Sequence, residues 1–217
     1  MSGNRSDARA VRRLAQAAVA GIGVFAGIVL LLHAVRPEYD IVTRFISEYA
    51  VTDPVPAAAA GIALGLGAMA LAKALRAAVP RHLEPRAGVV LLWVFGLCAV
   101  IFGVFPADEF PTVNPPSWHG IIHAVAAFIG FVCFSAGSLL VSFRLRRVSG
   151  WQGHARLLTT TAALSTILLF CLYAELPIVG LVERVAVAVI LAWMALAARA
   201  LLRWAAGGAP APASRAG

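Results

Sequence analysis

Six runs of apolar residues, at about 14–34, 55–75, 88–105, 119–142, 157–174 and 182–202, come close to the length that crosses a bilayer as a helix. An apolar helix needs about 20 residues to cover roughly 30 Å of hydrocarbon. Within that layer every backbone polar group must be satisfied inside the protein, so only helices and closed barrels span it. These runs are continuously apolar and rich in Ala, Leu and Gly, whereas a barrel strand alternates with period two. The reading is an all-α, integral membrane six-helix bundle over residues 14–204, preceded by a basic N-terminus at 1–13. The Ala/Gly/Pro-rich tail at 205–217 reads as disordered. Composition agrees: the chain is 61% hydrophobic and 13% charged, too apolar for an ordinary soluble domain.

The charges predict the direction of insertion, because Lys and Arg near span ends are held on the cytoplasmic side. Of the 18 Lys and Arg residues, all but Arg36, Arg44 and Arg184 lie before span one, around the turns between spans two and three and between four and five, or at and beyond the C-terminal end of span six. Of the 10 acidic residues, all but Asp7 and Glu84 fall on the opposite side. Both termini are therefore expected in the cytoplasm, with an acidic outer face and the cell membrane as location. The net charge of +8 then reflects topology and attraction to anionic lipid head groups, and nucleic acid is not an expected partner. The basic-then-apolar start resembles a signal peptide, but its apolar run is longer than a usual cleaved core and "LLHAVRPEYD" has no small-x-small site, so an uncleaved first span is expected.

The inner connections are short, whereas the first two outer segments are long and studded with turn residues. In the first, Ile41, Phe45, Ile46 and Tyr49 recur near helical spacing, which predicts a short interfacial helix on the outer rim, ended by Asp53-Pro54. The second breaks at Pro106, Pro111, Pro115 and Pro116 and is expected to form a compact cap, with Ser117 capping span four. Gly61 and Gly65 in span two, and Ala136, Gly137 and Ser138 in span four, read as close-packing positions. Cys98, Cys133 and Cys171 are dispersed and odd in number, which gives no disulfide framework; they read as small apolar side chains.

The candidate chemistry collects at the outer edge. His119 and His123 are four residues apart and share one face of a helix, so they can act on one metal or one substrate. Glu48, Asp108 and Glu175 lie at the same edge as candidate catalytic carboxylates, with Asp40, Arg44, Tyr49, Phe105, Trp118, Tyr173 and Arg184 as candidate substrate contacts. The competing structural reading makes the histidines interfacial residues bonded to loop backbone, and Trp118 an interfacial anchor. For Arg36, Arg44 and Arg184 the simpler account is an ion pair with a carboxylate nearby in sequence. Ser47 reads as a helix-surface residue. A metal form of the site would use His119 and His123, with one of Asp40, Glu48, Asp108 or Glu175 as third ligand, a divalent ion such as zinc and an open position for water. A metal-free form would pair a carboxylate acid with a histidine.

"ISEYA" after the first span, "GVFPAD" closing the third and "HGIIH" opening the fourth resemble the six-span membrane proteins catalogued as domain of unknown function 998, over most of the chain. The resemblance implies that Glu48, Phe105-Pro106, Asp108, His119 and His123 are the marked positions. It groups them into one site and names no reaction.

Two classes of function follow. One is an enzyme acting on a lipid or other hydrophobic small molecule, either by metal-assisted hydrolysis or by protonation of a prenyl chain as in a membrane-bound terpene cyclase, with aromatic rings stabilising cations. The other is non-catalytic: lipid binding, or a subunit partnering another membrane protein or a second copy of the chain. Transport is disfavoured by span centres almost free of charge.

Overall fold

The computed structural model describes residues 3–109, 115–174 and 176–207, with side chains from residue 7. It is all-helical, with no strand among the described residues. Six helices are long and apolar enough to span a membrane: α1 (Gly3–Val35), α3 (Pro54–Ala78), α4 (Arg86–Val104), α5 (Trp118–Leu145), α6 (Gln152–Leu172) and α7 (Val179–Gly207). Between α1 and α3 a single 3-10 turn, Ile46–Glu48, runs into the one-turn helix α2 (Tyr49–Thr52). The helices exceed the apolar runs at several ends because polar residues continue them: α1 already starts at Gly3, and α7 extends to Gly207. Of the tail expected to be disordered, residues 208–217 lie outside the described residues, as do Pro111 and Glu175.

The six spans close into a ring: α1 packs on α3 and α7, α3 on α4, α4 on α5, α5 on α6, and α6 on α7. Large apolar side chains point both ways. Phe95, Phe134 and Trp193 meet edge to face in the core, while Leu30, Val55 and Phe170 stand exposed on the flanks, as lipid-facing positions do. The α3–α4 contact rests on glycine: a Cβ on Gly103 would lie 2.8 Å from the Gly61 Cα, and one on Gly96 would lie 2.7 Å from the Gly65 carbonyl oxygen. Gly137 likewise packs on the α4 backbone at Gly88, as the small-residue spacing predicts. All three cysteines are free, and Cys98 is buried.

The acidic end of the bundle holds the α1–α3 and α4–α5 connections. Pro54 occupies the first turn of α3, where its missing N–H costs nothing. The rim helix is shorter than the spacing suggested: Ile41 lies outside it and is half exposed, while Glu48, Tyr49 and Ala50 are buried against the bundle.

Candidate functional site

Three strands of interaction build the acidic end, and each starts from local chain chemistry. In the rim segment, Asp40 folds back on its own turn, accepting from the Val42 N–H at 2.8 Å and the Thr43 hydroxyl at 3.0 Å. These donors, the Val42 N–H foremost, hold its carboxyl below the usual carboxylate range. Arg36 clamps Asp53 with two bonds, Nε to Oδ2 at 2.7 Å and Nη2 to Oδ1 at 2.9 Å, which likewise lowers the Asp53 carboxyl. Arg44 donates to Glu48 at 2.8 Å and reaches Glu109 at 3.4 Å. Glu48 is only 1% exposed, and its second oxygen takes the Phe45 N–H at 2.7 Å, as the acid of a capping box does.

The turn into α5 is organised by Ser117. Its hydroxyl caps the helix by accepting from the Gly120 N–H at 3.0 Å and donates to Asp108 at 2.5 Å, while its own N–H reaches the other Asp108 oxygen at 2.9 Å. Asp108 is thereby held below the usual carboxylate range, the Ser117 hydroxyl being the main cause. Gly120 leaves the space this carboxylate occupies, since a Cβ there would collide with it. Both histidines turn Nδ1 towards the turn that ends α4: His119 to the Pro106 carbonyl at 3.0 Å and His123 to the Phe105 carbonyl at 2.8 Å. A carbonyl only accepts, so Nδ1 carries the proton in each ring and Nε2 is left as the acceptor nitrogen.

The third strand comes from α7. Glu183, 7% exposed, accepts the Ile46 N–H through Oε2. Arg184 ties three elements together, donating to His33 Nε2 at 2.8 Å, to the Arg44 carbonyl at 2.6 Å and to the Gly180 carbonyl at 2.9 Å. His33 donates from Nδ1 to the Val29 carbonyl at 2.7 Å, which leaves Nε2 free to accept from Arg184. The ion-pair expectation holds for Arg36 and Arg44 and fails for Arg184, which forms no ion pair among the described residues. Neighbours on a helix diverge by about 100°, so Glu183 and Arg184 leave α7 in different directions.

These groups surround two cavities. An outer cleft of about 500 Å³ is lined by Glu48, Asp108, His123, Tyr173 and Glu183, with Ile121 and Val125 of α5 along one side. A smaller inner chamber of about 80 Å³ is lined mainly by apolar side chains of α1, α3, α4 and α5, among them Phe25, Leu32 and Phe102, together with Tyr49. Ser47, His123, Glu183, Ala127 and Phe131 line both cavities, so they form the wall between them.

Of the residues singled out from sequence, Glu48, Asp108, His123, Tyr173 and Tyr49 therefore come together. Asp40, Arg44, Phe105, Trp118, His119 and Arg184 line neither cavity and brace the rim: Phe105 and Trp118 meet edge to face at 5.9 Å, and Trp118 is 68% exposed. Glu175 lies outside the described residues. Ser47 is a correction, facing the cavities instead of the helix surface. Glu183 and His33 were missed as site residues; the signal for both was an ionisable group placed within a span, which is costly unless it is used. Among the described residues no group of three or more His, Cys, Asp or Glu is arranged to hold a metal ion.

The ring of six spans and its polar, cavity-bearing end define a multi-pass, all-helical membrane protein. The chain belongs to the family described as "Protein of unknown function (DUF998)", whose model matches residues 19–200. No curated protein and no solved structure matches it.

Proposed function

We propose that this protein is an enzyme acting on a membrane lipid or another hydrophobic small molecule, with His123 and Glu183 as its acid–base pair. The observation that carries this reading is the shared wall: both side chains border the outer cleft and the inner chamber at once. An apolar-walled cavity with a few convergent polar groups is the common form of a small-molecule site. Ionisable groups buried in a membrane bundle are costly, which makes them functional candidates.

The bonding supports distinct roles. His123 is oriented by the Phe105 carbonyl, with the Phe102 carbonyl also against its ring, and in the neutral Nδ1–H form Nε2 is the nitrogen that can take a proton, as a general base must. Glu183 is anchored through one oxygen, and its other oxygen accepts no hydrogen bond among the described residues. Between them a proton can be taken from water or a hydroxyl and returned to a leaving oxygen, ester hydrolysis being the simplest case. Asp108 and Glu48 shape the walls, since their oxygens are spent on Ser117, Arg44 and Phe45. A metal shared by His119 and His123 would have to be taken through Nε2 of each ring.

The test is to incubate the detergent-purified protein with a total lipid extract and to follow every lipid class by mass spectrometry beside His123→Ala. The expected result is one class converted by the wild type alone, at equal thermal stability of the two proteins. Identical lipid profiles would remove the catalytic reading, and a lipid co-purifying with both proteins would then mark a binding protein. We place the acidic end outside the cell membrane and both chain ends in the cytoplasm, because the cations gather at the opposite end of the bundle.

A further inference from the structure

Resting on the site proposed above, we infer that its ligand presents an uncharged oxygen function, an alcohol, ether or carbonyl, to the inner chamber, where the Tyr49 hydroxyl hydrogen-bonds it. Tyr49 is 1% exposed, and its hydroxyl is buried with no hydrogen-bond partner among the described residues. Buried polar atoms are nearly always paired, and each exception calls for an explanation. Ring contacts hold the side chain in place: Tyr49 lies 5.3 Å from the His33 ring and 5.1 Å from the Tyr39 ring, centroid to centroid. The hydroxyl is therefore not needed to position it. Tyr49 lines the chamber, whose other walls are apolar apart from Ser47, His123 and Glu183 on the side shared with the outer cleft.

The chamber's size limits what reaches the tyrosine. About 80 Å³ has room for roughly three water-sized groups, too little for an acyl chain and enough for the end of a molecule. The rest of the ligand would lie in the outer cleft, whose Ile121 and Val125 are about half exposed on the flank of α5, towards the lipid.

Charge selects the kind of end. Among the described residues lining the two cavities there is no Lys or Arg, while Glu48, Asp108 and Glu183 are all carboxylates of the cleft. Arg44 is turned to Glu48 and Glu109; Arg184 donates from Nε and Nη1 to His33 and two carbonyls, and its buried Nη2, which has no hydrogen-bond partner among the described residues, belongs to a side chain that lines neither cavity. A phosphate or carboxylate end would pass these acids without meeting a cation in the cavities. Like-charge contact of this kind is an effective means of rejection.

The probes are 1-decanol, decyl phosphate and decylamine, which share one chain and differ only in the charge of the polar end. Binding is read as the ligand-induced rise in unfolding temperature of the full chain in one detergent. Ala57→Leu, which fills the chamber, serves as the control for effects on the detergent itself. The expected result is that 1-decanol stabilises the wild type, that Ala57→Leu abolishes the effect, and that Tyr49→Phe weakens binding roughly five- to tenfold. Without ligand, Tyr49→Phe should be at least as stable as the wild type, because it removes the unpaired hydroxyl. Equal or tighter binding of decyl phosphate or decylamine, or an unchanged 1-decanol affinity in Tyr49→Phe, overturns the inference while leaving the ligand site in place. If no probe separates the wild type from Ala57→Leu, the cavity itself is not a ligand site and the proposed function falls with it.

Discussion

Glu183 in the first turns of α7 accepts the backbone N–H of Ile46, so the last span fixes a rim segment that lies 137 residues earlier in the chain. Through this bond one buried carboxylate both closes the mouth of the bundle and faces its two cavities.

Glu183→Gln and Glu183→Ala should therefore part company. Glutamine keeps an oxygen for the Ile46 N–H and should fold near wild-type stability while losing the proton-transfer role. Alanine leaves that N–H buried and unpaired, at a cost of about 1–3 kcal/mol. Thermal unfolding of both variants, paired with the lipid-conversion assay, checks the distinction.

The two histidines should separate as sharply. His123→Ala is expected to lower conversion roughly 10²–10⁴-fold, the usual range for a general base. His119 braces the α4–α5 turn and lines neither cavity, so His119→Ala should keep most of the activity. Equal losses in the two variants would contradict this division.

The carboxyls of Asp40, Asp53 and Asp108 all sit below their ordinary range in the folded protein. A lowered folded value means that the stabilisation is complete above the unfolded value, about 3.9, and is lost as pH falls through the folded value. The rim should consequently loosen in acid below about pH 4 while the spans stay folded. Hydrogen exchange at the Ser117 N–H as a function of pH measures this, and Asp108→Asn should flatten the profile there.

The α3–α4 contact should be intolerant of added volume. Gly103→Ala is expected to cost about 1–3 kcal/mol by forcing the helices apart. Gly23→Ala, where a Cβ meets nothing within 4 Å, should be neutral or slightly stabilising because alanine favours the helix. Unfolding temperatures of the two variants supply the comparison.

A cysteine at Glu38 should react with a membrane-impermeant maleimide on intact cells, and one at Ser149 only after permeabilisation. Both positions are exposed, at opposite ends of the bundle. The reverse pattern would invert the topology. The native cysteines lie in the spans and provide the background.

How far the site was legible depended on whether its signal was local. Ser117 could be read as a cap because the bond from Gly120 spans only three residues, and the histidine pair could be found from spacing alone. Spacing could not say that His119 braces a loop while His123 reaches the cavities, because residues four apart share a face without sharing its depth. Adjacent Glu183 and Arg184 suggested an ion pair, whereas helical rotation sends one to Ile46 and the other to His33. Tyr173 and Tyr49, chosen alike from sequence, belong to different cavities.

By itself the sequence determined the number of spans, because bilayer thickness sets the length of an apolar helix and the hydrocarbon excludes unpaired backbone. Which polar groups converge was decided only when the six spans closed into a ring and brought residues 46, 123 and 183 around one wall. That choice depends on helix rotation and depth, which a continuously apolar span does not encode in its pattern: nearly every face of it is compatible with lipid, and packing selects the one that turns inward.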